Sequence, residues 1–145
     1  MRVSLSVRTS DGSIAKPAWE IFANATPGKW KLLELGFTLA AATASTFGLN
    51  RPAAIGVTPT SPVDFLPDDT GGVLASGLIR SAVAWGTEPT EPTLGYIRRA
   101  SFPATIGTGI VWTFPEGIYI TVEKSLVLWN ITENAVVDAW ATLEI

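Results

Sequence analysis

Carboxylates are the side chains of this chain best suited by type to chemistry. Glu20 and Glu34 lie in strand-like stretches, and Asp68 and Asp69 stand side by side in a loop. Two carboxyl groups about 5–10 Å apart can divide general-acid and general-base work, as in glycoside hydrolysis. Neither pair is well placed, since Glu20 and Glu34 fall on outward strand positions and the aspartates occupy a turn. Histidine and cysteine are both absent. That removes Ser-His-Asp and Cys-His nucleophiles together with His- and Cys-based zinc sites. The expectation is a non-enzymatic protein, with no catalytic residues, no metal, no cofactor and no small-molecule substrate.

Two further groups deserve weighing. Asp64-Phe65-Leu66-Pro67-Asp68-Asp69-Thr70-Gly71-Gly72 offers hard oxygen ligands on a turning backbone, as calcium loops do. It lacks regular ligand spacing and reads as a solvated acidic turn. Arg80, Arg98 and Arg99 suit phosphate, but neighbours on a strand point to opposite faces, so Arg98 and Arg99 cannot make one patch. No glycine-rich loop leads into Lys-Ser or Lys-Thr. The net charge of −3 further argues against nucleic acid, whose binding depends on neutralising phosphates.

The elements that must position these residues are strands. In 118–123, Ile118, Ile120 and Val122 alternate with Tyr119, Thr121 and Glu123, the period of a strand with one buried face. In 125–131 both alternating sets are apolar, Leu126 and Leu128 on one side and Val127, Trp129 and Ile131 on the other. Such a strand is expected to be covered on both faces, the second by a partner. In the last stretch Val137, Ala139, Ala141, Leu143 and Ile145 share one face, and Trp140 stands among Asp138, Thr142 and Glu144 on the other. These three consecutive strands over 118–145 read as a hairpin pair closing the fold.

Earlier in the chain Val3, Leu5 and Val7 mark a first strand, ended by an Asp11-Gly12 turn. Trp19, Ile21 and Ala23 mark a second, broken at Thr26-Pro27-Gly28. In 30–41, Leu33, Leu35, Phe37 and Leu39 are expected to face the core, with Leu32, Glu34, Gly36 and Thr38 outward. Good helix formers occur there, but the alternation and Gly36 favour a strand. Residues 53–77 form a long Pro/Gly-rich loop, which inside a compact domain is usually a contact element. Further strands are expected over 78–85, over 94–100 and around Ile110, Trp112 and Phe114. The pattern predicts one all-β domain over 1–145, an antiparallel β-sandwich of jelly-roll type with eight to ten short strands and little or no helix.

Composition fits a subunit that buries surface against partners, with 47% hydrophobic and 16% charged residues. Through Arg51 the chain carries six Lys and Arg against three Asp and Glu, and the remainder is net −6. The N-terminus has no apolar core of signal-peptide length, and 32–49 is too interrupted to span a bilayer, so no membrane partner is expected. Of the six tryptophans, Trp19, Trp85 and Trp112 read as core. Trp140 and Trp129 read as interface residues, together with Leu126, Leu128, Phe65 and Leu66. Protein contact is favoured over sugar stacking there, because no fringe of Asn, Asp and His together accompanies these tryptophans to orient a sugar.

Two stretches, WKLLELGFTLAAATASTFGLNRPAAIGVTP (30–59) and SLVLWNITENAVVDAW (125–140), together resemble capsid decoration, or cement, proteins of tailed bacteriophages. The resemblance covers about half the chain in texture and carries no catalytic signature. It implies a jelly-roll sandwich of the tumour-necrosis-factor-like kind, a homotrimer seated on the major capsid protein. The protein would then act on the virion capsid surface, assembled in the host cytoplasm, and stabilise the shell. The alternative is a receptor- or glycan-binding tip domain of a tail fibre or spike.

Overall fold

The computed structural model describes residues 1–9, 17–24, 29–93 and 95–145. The Asp11-Gly12 turn, the Thr26-Pro27-Gly28 break and Leu94 lie outside them. The strands are β1 (Arg2–Arg8), β2 (Pro17–Ala23), β3 (Lys29–Leu39), β4 (Ser45–Asn50), β5 (Val57–Pro59), β6 (Val63–Asp64) and β7 (Leu66–Pro67). They continue with β8 (Ile79–Ala82), β9 (Trp85–Thr87), β10 (Arg98–Phe102), β11 (Gly109–Thr121), β12 (Ser125–Asn130) and β13 (Val137–Glu144). No helix occurs among the described residues.

Four antiparallel pairings define the architecture: β1 with β13, β2 with β12, β3 with β11 and β4 with β10. The chain is thus one long hairpin whose tip lies between β4 and β10. Wrapping that hairpin places successive strands in alternate sheets, β11-β3-β13-β1 in the first and β10-β4-β12-β2 in the second. This is the jelly-roll order. Burial drives the wrapping, because each of these strands has an apolar face to remove from water. The 51–97 excursion at the hairpin tip adds β7 beside β1, β8 beside β2 with β6 at its outer edge, and a separate β5–β9 ribbon. Of these, β5, β6 and β7 come from the segment read as a long loop, while β8 falls within the strand expected over 78–85.

The core lies between the sheets. Trp30, Leu32, Leu35, Phe37 and Leu143 enter it from the first sheet, and Trp19, Ile21, Phe47, Leu49, Leu126 and Leu128 from the second. Phe37 is the centre of an aromatic cluster, its ring 5.0 Å from Phe47, 5.0 Å from Trp112 and 5.2 Å from Phe102. At another point of the core Phe65 stacks on Trp19 at 6.2 Å. Ala139 and Ala141 on β13 are fully buried, small enough to leave room for these rings.

Three sequence expectations change here. Residues 118–145 do not form a hairpin, because β11 and β13 belong to one sheet and β12 to the other. The segments around Trp112 and from Ile118 onward are a single strand, β11, interrupted where its pairing steps from Thr113·Glu34 to Ile118·Leu32. Gly117, at φ 75°, allows the bulge that absorbs Pro115 and Glu116. At the same level β3 carries a bulge at Leu33, since Thr142 pairs with Glu34 and Leu143 with Leu32. The extra residue resets the alternation, so Leu32 enters the core and Leu33 is half-buried. A one-residue slip of this kind reverses the facing of every side chain beyond it.

Candidate functional site

The outer faces of the two sheets differ in what lies over them. The outer face of the second sheet is covered by the excursion. Val127 is 0% and Trp129 1% exposed, although both point away from the core-facing Leu126 and Leu128. Tyr96 and Ile131 lie against Gly48, which pairs with Trp129, and leave no space for a Cβ there. The doubly apolar strand is therefore covered by its own chain. Trp129, Leu126, Leu128 and Phe65 are all about 1% exposed, which removes them from the expected interface. Trp85, expected in the core, instead lies half-buried on the excursion, its ring against Gly56.

Glu20 is the tie between excursion and sheet. It is 1% exposed and points outward beside Val127. Its Oε2 accepts from the Gly56 amide at 3.1 Å and the Ser125 hydroxyl at 2.8 Å, and its Oε1 accepts from the Trp85 indole at 3.0 Å. Three neutral donors thus hold a buried carboxylate, which offsets its desolvation. Glu34 is on the outer side of the opposite sheet, where it accepts from Trp140. The whole sandwich separates the two carboxylates, so they cannot share a substrate.

The loop aspartates are engaged locally. Asp69 accepts from the Gly71 amide at 2.9 Å, an Asx turn, and the Asp68 amide donates to the Arg2 carbonyl at 3.0 Å. Asp64 pairs with Arg80 at 2.9 Å and accepts from Ser76 at 2.7 Å. No cluster of three or more potential metal-ligating side chains occurs among the described residues. Arg98 lies over the Phe114 ring at 5.0 Å, on the side facing Leu49, and Arg99 is opposite Gly48 on the outer side. The three arginines are accordingly apart.

Where the excursion returns to β10, the Tyr96 hydroxyl donates to Glu91 at 2.7 Å. Burial, then the hydrogen bond and charge of Glu91, push this phenol up to about 12. Because folding favours its neutral form, the contribution is complete below the ordinary value of 10.0 and is lost as pH rises toward 12. An ultraviolet titration is expected to show one phenol ionising near 12, and Glu91→Gln is expected to lower that midpoint. An unchanged midpoint in the variant would contradict the assignment to Tyr96.

The outer face of the first sheet has no such cover. Rows of side chains run across it in register: Val111, Gly36, Trp140 and Ser6, then Thr113, Glu34, Thr142, Ser4 and Leu66. Trp140 lies flat over Gly36, where a Cβ would overlap its ring, and its indole donates to Glu34 at 3.2 Å. This is why an aromatic occupies a polar face: it covers backbone that glycine leaves bare. Ser4 and Thr142 share a hydrogen bond at 3.1 Å, and Arg8 clasps Asp138 through two bonds of 2.8 and 2.9 Å. The hydrogen bond and charge of Arg8 hold the Asp138 carboxyl below its ordinary value. Val111, Tyr119 and Leu66 are exposed at 49%, 48% and 63%. Of the six residues expected at an interface, Trp140 and Leu66 remain at the surface. They border one shallow groove with Ser4, Ser6, Pro67 and Thr142.

The sequence reading missed Val111 and Tyr119, though Tyr119 was visible as the aromatic of a polar set. No family model, no curated protein and no solved structure matches the chain. The all-β antiparallel sandwich is consistent with a structural role.

Proposed function

We propose that the protein is a non-enzymatic structural protein of a tailed-bacteriophage virion, binding the outside of the capsid as a homotrimer and stabilising the shell. The observation that carries this reading is the uncovered outer face of the first sheet. It is open and hydroxyl-rich, with Trp140, Leu66, Val111 and Tyr119 distributed across it. Open sheet faces with separated aromatic anchors suit protein contact, where a few large side chains supply most of the binding energy. The resemblance of 30–59 and 125–140 to decoration proteins supports the same reading and names the major capsid protein as partner. The action is mechanical: apolar area shared among neighbouring subunits, about 800 Å² per contact, opposes rupture of the shell under packaged DNA. Three linked copies would add avidity on a symmetric site.

The test is to mix purified protein with undecorated shells and image them by cryo-microscopy. Density at lattice symmetry points and a trimer mass by light scattering are expected. Combined Trp140→Ala and Leu66→Ser is expected to abolish shell binding, while Trp140→Ala alone lowers the folding stability of the chain by about 1 kcal/mol. Bare shells, or a monomer mass unchanged by Trp140→Ala, would overturn the reading. Recovery of the protein with tail fibres would favour a receptor- or glycan-binding tip.

A further inference from the structure

On the opposite side of the sandwich, the excursion and the end of β2 border a half-open cavity of about 540 Å³. This lies within the usual range of small-ligand sites, about 300–1,000 Å³. Phe22, half-buried on the outer side of β2 between Ser125 and Arg80, supplies an aromatic wall. Ile55, Pro59 and Pro62 add apolar surface, while Asn24, Glu123 and Lys124 bring polar groups to its lining.

We infer that this cavity binds a neutral saccharide, the Phe22 ring against the C–H face of a pyranose and Asn24, Glu123 and Lys124 on its hydroxyls. The charges decide the ligand class. Arg80 is neutralised by Asp64 at 2.9 Å, and the Glu20 carboxylate is engaged by Gly56, Ser125 and Trp85. Glu123 and Lys124, adjacent and opposite in sign, cancel. A wall of this kind selects neither anion nor cation. Exposed Asn24, Glu123 and Lys124 offer acceptors and donors side by side, and a hydroxyl, being both donor and acceptor, satisfies each kind.

Backbone strain points to the same place independently. Among the described residues the non-glycine positions with positive φ are Thr58 at 53°, Ser61 at 46° and Glu123 at 60°. Thr58 and Ser61 precede the lining prolines Pro59 and Pro62, and Glu123 lines the cavity itself. A β-branched residue in the left-handed region is a genuine outlier, and held strain of this kind gathers at ligand sites. Glu123 is held there by its amide, which donates to the Ala23 carbonyl at 2.9 Å. The site is pre-formed, because the Glu20 hydrogen bonds fix the excursion over it. The inference does not depend on where in a particle the protein sits.

The test is a heteronuclear NMR titration of the full chain with maltose, cellobiose, lactose and N-acetylglucosamine, each to about 20 mM, with glucuronate as a charged control. At least one neutral sugar is expected to shift the amides of Phe22, Asn24, Ile55 and Lys124 in a saturable way. Phe22→Ala is expected to weaken that binding about tenfold or more. Asn24→Ala, at an exposed position where folding is not at stake, is expected to weaken it several-fold. No saturable shift with any neutral sugar would overturn the inference. So would tighter binding of glucuronate, or binding unaffected by both substitutions.

Discussion

Replacing Glu20 with alanine is expected to destabilise the protein by about 4 kcal/mol, since the buried Ser125 hydroxyl and the half-buried Gly56 amide and Trp85 indole lose one shared acceptor together. The Gly56 amide, the Ser125 hydroxyl and the Trp85 indole all converge on this carboxylate, which is 1% exposed. Against a typical domain stability of about 5–15 kcal/mol, that loss brings the fold close to its limit. Glu20→Gln should fall between, because one amide oxygen still accepts from Gly56 and Ser125 while the new NH2 faces the Trp85 N–H, donor against donor. Glu34→Ala removes one bond on the open face and is expected to cost no more than about 1 kcal/mol. Urea unfolding of the four proteins checks the series. Equal midpoints for Glu20→Ala and Glu34→Ala would mean that the excursion is not held through Glu20.

Trp129→Ala is expected to cost about 3–5 kcal/mol through the cavity it opens beneath the excursion. The loss should be independent of protein concentration, because Tyr96 and Ile131 of the same chain lie over that face. Trp129→Phe should be far milder, about 1 kcal/mol, since the buried indole nitrogen has no hydrogen-bond partner and its removal leaves nothing unsatisfied. If Trp129→Ala weakened self-association while leaving unfolding at low concentration unchanged, Trp129 would belong to a subunit interface after all. Unfolding measured over a wide concentration range separates the two outcomes.

The contrast between Trp129 and Trp140 shows how far residue patterns carry. Both stand out of place in the sequence, one on a strand with two apolar faces and one among Asp138, Thr142 and Glu144. Alternation reveals that a face is covered but not by what. The cover over Trp129 includes Tyr96, 33 positions away, and the reason for Trp140 is Gly36 on the neighbouring strand. Both facts depend on strand order, which is non-local. The bulge at Leu33 is similarly invisible, because Leu32 and Leu33 are equally apolar and only the pairing with Thr142 and Leu143 chooses between them.

The sequence by itself determined the all-β content and the antiparallel sandwich, although it predicted eight to ten short strands where the described residues form thirteen, β3 and β11 long ones. It did so because alternating apolar residues bounded by proline and glycine leave few other ways to bury one face of each strand. It also excluded histidine- and cysteine-based chemistry outright. Only the tertiary structure decided which face stays open. Folding the hairpin about its tip lays the 51–97 excursion over one sheet, fastened by Glu20, and leaves the sheet bearing Trp140 uncovered.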